Sequence, residues 1–69
     1  MGDAEFLREM GQRIMVRRKA LQLTQEELAE EVDLSPMHVS VIERGVKLPK
    51  LETLINIANA LDVPADVLL

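Results

Sequence analysis

Leu23-Thr-Gln-Glu-Glu-Leu-Ala-Glu-Glu-Val-Asp-Leu-Ser-Pro-Met-His-Val-Ser-Val-Ile-Glu-Arg-Gly45 is the stretch whose reading decides the fold. Thr24 has the hydroxyl of a helix N-cap, and Glu27, three residues on, completes a capping box in which each residue's side chain satisfies the other's backbone N–H. Leu28, Ala29 and Val32 follow at helical spacing as one apolar stripe. Asp33 and Leu34 break that helix. Ser35 and Pro36 then read as N-cap and first residue of the next, because proline fixes φ for a helix and lacks an N–H that would go unpaired there. Val39 and Ile42 are the inward residues, and Gly45 is the stop, in the position after the C-cap where a left-handed conformation is needed. The stretch predicts one helix over about 25–32 and a second over about 36–44, joined by a tight turn.

The same rules extend outward. From about 3 to 21, Leu7, Met10 and Ile14 recur at three- and four-residue steps between charged residues, which predicts an amphipathic first helix. Leu51, Leu54, Ile55, Ala58 and Leu61 predict a fourth helix over about 51–61, which Asp62 ends. Pro64 opens a short fifth over about 64–69, with Val63 and Leu68 turned to the core. Hydrophobic residues make up 48% of the chain, yet Phe6 is the only aromatic. Leu, Val, Ile, Met and Ala suit helices better than strands. The expectation is one all-α domain over 1–69, with five helices and no internal repeat.

Several classes of function are disfavoured. A 69-residue chain builds a small core and usually needs disulfides, metal or a partner chain. Cysteine is absent, and His38 is the only histidine, so neither a disulfide nor a zinc site is available. No Gly-rich phosphate loop or acid/base constellation points to catalysis, a cofactor or a small-molecule ligand. No run approaches the ~20 apolar residues of a membrane span, and the N-terminus does not read as a signal peptide, so a soluble cytoplasmic protein is expected. The formal net charge is −4. Its distribution is uneven: Arg13, Arg17, Arg18 and Lys19 form one basic group and Arg44, Lys47 and Lys50 another, apart from the acidic block Glu26, Glu27, Glu30, Glu31 and Asp33.

Two short helices joined by a brief turn make the unit that lays its second helix in a groove of DNA. With about 100° of rotation per residue, Val39 and Ile42 fall on one side of that second helix. Met37, Val41 and Arg44 fall on the other, with Ser40 at the edge. Exposed Met37 and Val41 can touch thymine methyl groups, or can face another protein. Gln25 stands in the first turn of its helix, where free N–H groups and the dipole favour a phosphate oxygen. Glu43, in the last turn of the next, opposes the dipole there and calls for a cation.

Leu23-Thr-Gln-Glu-Glu-Leu-Ala29, Leu34-Ser-Pro36, Ile42-Glu-Arg-Gly45, Leu51-Glu-Thr-Leu54 and Ala60-Leu-Asp-Val63 together resemble the Cro/repressor (XRE-like) helix-turn-helix family, over about residues 11–69. The resemblance implies a lambda-repressor-like five-helix fold and a dimeric regulator of transcription, probing two half-sites of a double-stranded operator, with repression the usual outcome. It places base reading at Pro36, Met37 and Val41, and phosphate contact at Gln25; by their position, His38, Ser40, Arg44 and, in the following loop, Lys47 and Lys50 are the next candidates for the DNA backbone. It also pairs Glu43 with Arg18. Gln22, Asp33 and Asp62 stand where the family often has glycine, and Pro36, Met37 and Val41 are apolar where it commonly has hydrogen-bonding side chains. Val67 and Leu69 are more apolar surface than so small a monomer can hide, and are the expected homodimer contact. A protein-interaction module, such as the antitoxin of a toxin–antitoxin pair, is the other class the residues leave open.

Overall fold

The computed structural model describes residues 3–69. Five helices run in order: α1 (Asp3–Ala20), α2 (Gln25–Glu31), α3 (Pro36–Glu43), α4 (Leu51–Ala60) and α5 (Ala65–Leu68), with no strand among the described residues. The first four end one residue earlier than read from the sequence, because Leu21, Val32, Arg44 and Leu61 serve as C-caps outside the helical run. Pro64 is the N-cap of α5 rather than its first residue. No described helix is long and apolar enough to cross a membrane.

The local chemistry explains the starts. The Thr24 hydroxyl accepts from the Glu27 N–H at 3.0 Å while the Glu27 carboxylate accepts from the Thr24 N–H at 2.8 Å. The Ser35 hydroxyl accepts from the His38 N–H at 3.1 Å.

The stops share one geometry. Gln22, Asp33, Gly45 and Asp62, each directly after a C-cap, have φ of 61°, 60°, 74° and 59°. In each case the next residue's N–H reaches back over the helix end: Leu23 to the Arg18 carbonyl, Leu34 to Ala29, Val46 to Val41 and Val63 to Ala58, all at 2.9–3.1 Å. Together with the bond from the left-handed residue itself this is the Schellman arrangement, which satisfies carbonyls the helix leaves open. Leu23, Leu34 and Val63 then pack against the core. The joints 21–24, 32–35 and 61–64 therefore repeat one pattern, an apolar C-cap, a polar left-handed residue, an apolar residue turned inward and an N-cap, although no repeat is evident in the helices themselves.

Met10, Ile14, Leu28, Ala29, Val39, Ile42, Leu54, Ile57, Ala58, Leu61 and Leu68 are almost wholly buried and form one core. α1 packs on α3 and α5, α2 on α3 and α4, and α4 on α5. One expectation is corrected: Leu51 and Ile55 are exposed, at 72% and 42%, and Ile57 takes the inward place. The buried stripe of α4 is thus rotated by roughly 45° from the one read in the sequence. Apolar residues at six positions offer two overlapping stripes, and the placing of α2 and α5 selects between them.

Candidate nucleic-acid interface

α3 divides as its periodicity requires. Val39, Ile42 and Glu43 are buried, Pro36, Met37 and Arg44 are exposed, and Ser40 and Val41 are half-buried on the outer side. His38, a candidate for phosphate contact, is half-buried and lines a small cavity with Leu34, Leu48, Pro49, Thr53 and the two lysines Lys47 and Lys50. Lys47 and Lys50 are themselves exposed.

The inner end of α3 is fastened to α1 by charge and by close approach. Arg18 and Glu43 are 7% and 6% exposed, and the guanidinium meets the carboxylate as a fork, Nε to Oε2 at 2.6 Å and Nη2 to Oε1 at 3.1 Å. Arg18 Nη1 also donates to the Leu23 carbonyl at 2.7 Å, which ties the fork to the joint before α2. Gln25 Nε2 donates to Glu43 Oε1 at 3.0 Å. Among the described residues no buried side-chain polar atom lacks a partner. A desolvated ion pair is tolerated only when its remaining lone pairs and protons are matched in this way. The cation that Glu43 needs at a helix C-terminus is thus Arg18, and Gln25 joins the pair on a second edge.

Two glycines let α1 and α3 meet. A Cβ on Gly11 would stand 2.5 Å from the Ile42 carbonyl oxygen and as close to that of Glu43. On Gly45 it would stand 2.7 Å from Cα of Arg8, in a residue whose φ of 74° already disfavours a side chain. The backbone of α1 therefore lies directly on the end of α3 from both sides. Neither contact was read from the sequence, although a glycine within an otherwise periodic helix, as at Gly11, is the usual sign of close packing.

Three of the four residues in the basic group of α1, Arg13, Arg17 and Arg18, are bonded within the molecule. Besides the Arg18 fork, Arg17 Nε donates to the carbonyl of Leu61, the C-cap of α4, at 2.9 Å, and Arg13 Nη1 donates to the Leu69 carbonyl at 2.8 Å. Arg8 and Lys19 of α1 are exposed, and Arg44, Lys47 and Lys50 are the exposed cations beside the outer side of α3. The acidic residues of α2, Glu26, Glu27, Glu30 and Glu31, are solvent-exposed. Val67 and Leu69 are 53% and 52% exposed, and Val67 lines an apolar groove together with Arg13, Val16, Arg17, Ala20 and Leu68.

Known proteins resemble this chain in sequence and fold. The chain is 37% identical over 57 residues to the cryptic phage CTXphi transcriptional repressor RstR of Vibrio cholerae, an alignment covering 83% of this chain and 51% of that one. The curated relatives it matches are longer, and the chain spans between 26% and 53% of their length. Among solved structures, the restriction-modification controller protein C.AhdI from Aeromonas hydrophila superposes with a TM-score of 0.88 at 35% identity, over 91% of this chain and 96% of that one. The P22 c2 repressor protein, solved in complex with a synthetic operator, does so with a TM-score of 0.84 at 38% identity, over 87% and 91%. The family model for the helix-turn-helix, HTH_3, matches residues 14–68, and with α2 and α3 forming that motif on a repressor-like five-helix frame, the chain belongs to the helix-turn-helix family.

Proposed function

We propose that this chain is the DNA-binding domain of a transcriptional regulator, acting as a dimer that lays α3 in the major groove at each half of a two-fold symmetric operator, with repression as the outcome. The observation that carries the reading is the division of α3: one side closes the core and is fastened to α1, while the other stands exposed beside Arg44, Lys47 and Lys50. A helix so held presents a fixed row of side chains to a groove, and the adjoining cations complement the phosphates that position such a helix. The operator complex of the P22 c2 repressor supports it by similarity of the whole domain.

Phosphate contact falls to Ser40, Arg44, Lys47 and Lys50, to His38, which shares a cavity with the lysines, and to the second N–H of the Gln25 amide, the first being held by Glu43. Val67 and Leu69 join a second copy, covering apolar surface that this chain leaves open. Selection of duplexes from a random pool tests the whole: a two-fold symmetric consensus is the expected result. No enrichment, together with no salt-dependent binding to random duplex, overturns it. Light scattering that finds only monomer at high micromolar concentration, with and without the selected duplex, overturns the dimer.

A further inference from the structure

We propose that α3 selects thymine through its C5-methyl group, with Met37 and Val41 as the residues that read it; this rests on the reading of α3 as the helix that enters the major groove. In that docking geometry the N-terminal residues of the inserted helix meet the base edges. Here they are Pro36 and Met37, both exposed, and neither side chain carries a hydrogen-bonding group that matches a base. Met37 is 69% exposed, and Val41, one turn further, lies half-buried on the same side. This exposure is not a by-product of a loose core, since Val39 and Ile42 on the opposite side are each 1% exposed.

An apolar pair in the major groove has one chemical target. Each base pair offers donors and acceptors there, but only thymine adds an apolar group, and methyl-to-methyl contact leaves the oxygens and amines of the other bases unmatched. The amide on the adjoining helix, that of Gln25, is held by the Glu43 carboxylate. The occupant of this side is duplex DNA rather than an apolar protein surface because Arg44 and the following Lys47 and Lys50 flank it, and an apolar protein patch offers them no counter-charge.

The test uses the full chain and duplexes it has selected from a random pool, with binding followed by fluorescence anisotropy. Thymines of the consensus are replaced one at a time by deoxyuridine, which removes the methyl and leaves base pairing intact. The expected result is a loss of about four-fold in affinity for each methyl in contact. In Met37→Ala the penalty disappears at one position of the half-site, and in Val41→Ala at another, while thermal melting shows both variants folded. A consensus without thymine opposite α3, a uracil penalty below about two-fold at every position, or a penalty that persists in both alanine variants overturns the proposal. Salt-dependent binding to random duplex, measured alongside, separates the two levels: if it persists without a uracil effect, only the methyl reading falls, and if no duplex is bound at any salt, both fall.

Discussion

Glu43 has three hydrogen bonds to its carboxylate and almost no exposure, so its removal leaves the Arg18 guanidinium buried without a counter-charge. Breaking a buried pair on one side costs about 3–5 kcal/mol, whereas replacing both partners with apolar residues of similar size is often neutral. Glu43→Ala is therefore expected to lose about 3–5 kcal/mol in urea unfolding, and the double variant Arg18→Met, Glu43→Met to regain most of it. If the double variant is as unstable as the single one, the pair is not the cause. The opposite sign is expected at Gln22, which holds φ at 61° with an ordinary side chain. A left-handed residue other than glycine is strained by roughly 1–2 kcal/mol, part of which glycine returns as entropy in the unfolded chain. Gln22→Gly should stabilise by up to about 1 kcal/mol, a rise in Tm of about 4–8 °C that calorimetry would register. No rise would mean that the Gln22 side chain makes good its own strain.

At the scale of elements, Gly45 shows why one helix end differs from its three counterparts. Gln22, Asp33 and Asp62 adopt the same φ in open surroundings tolerant of a side chain, but Gly45 also lies against the backbone of Arg8. Gly45→Ala is expected to lose about 2–4 kcal/mol, strain and overpacking combined, measured by thermal melting. A loss no larger than that of Asp33→Ala would show that α1 yields. The contrast marks what was legible in the sequence. Thr24, Glu27, Ser35, Pro36 and Gly45 act within a few residues of themselves, so the starts of α2 and α3, their ends to within one residue, and the outer side of α3 could be read from spacing. The inward stripe of α4 could not, because Leu51, Ile55 and Ile57 are equally apolar and only the neighbouring helices choose among them. Gln25 on Glu43 and Arg17 on the Leu61 carbonyl depend on how distant segments cross, and nothing local announces them; a glycine inside a helical run announces close packing at Gly11 but not its partner, Ile42.

For the molecule as a whole, the engagement of Arg13, Arg17 and Arg18 within the fold limits what an acidic chain can offer to DNA. Three cations flank α3, and the logarithm of affinity falls with that of salt by about 0.9 per phosphate neutralised, so a dimer using six should show a slope of about −5. A slope shallower than about −2 would mean that these lysines and Arg44 are not on phosphates. The three four-residue joints and the single longer one, 44–50, have a further consequence, for the time the chain takes to find its structure. Every corner closes on carbonyls of the helix just formed, so little loop entropy is lost before contacts form, and chains dominated by such near-neighbour pairings fold in microseconds to milliseconds. Temperature-jump relaxation should be single-exponential in that range. A dominant phase of seconds would place the slow step in the crossing of α1 over the end of α3, where two glycines leave no room for an approximate fit.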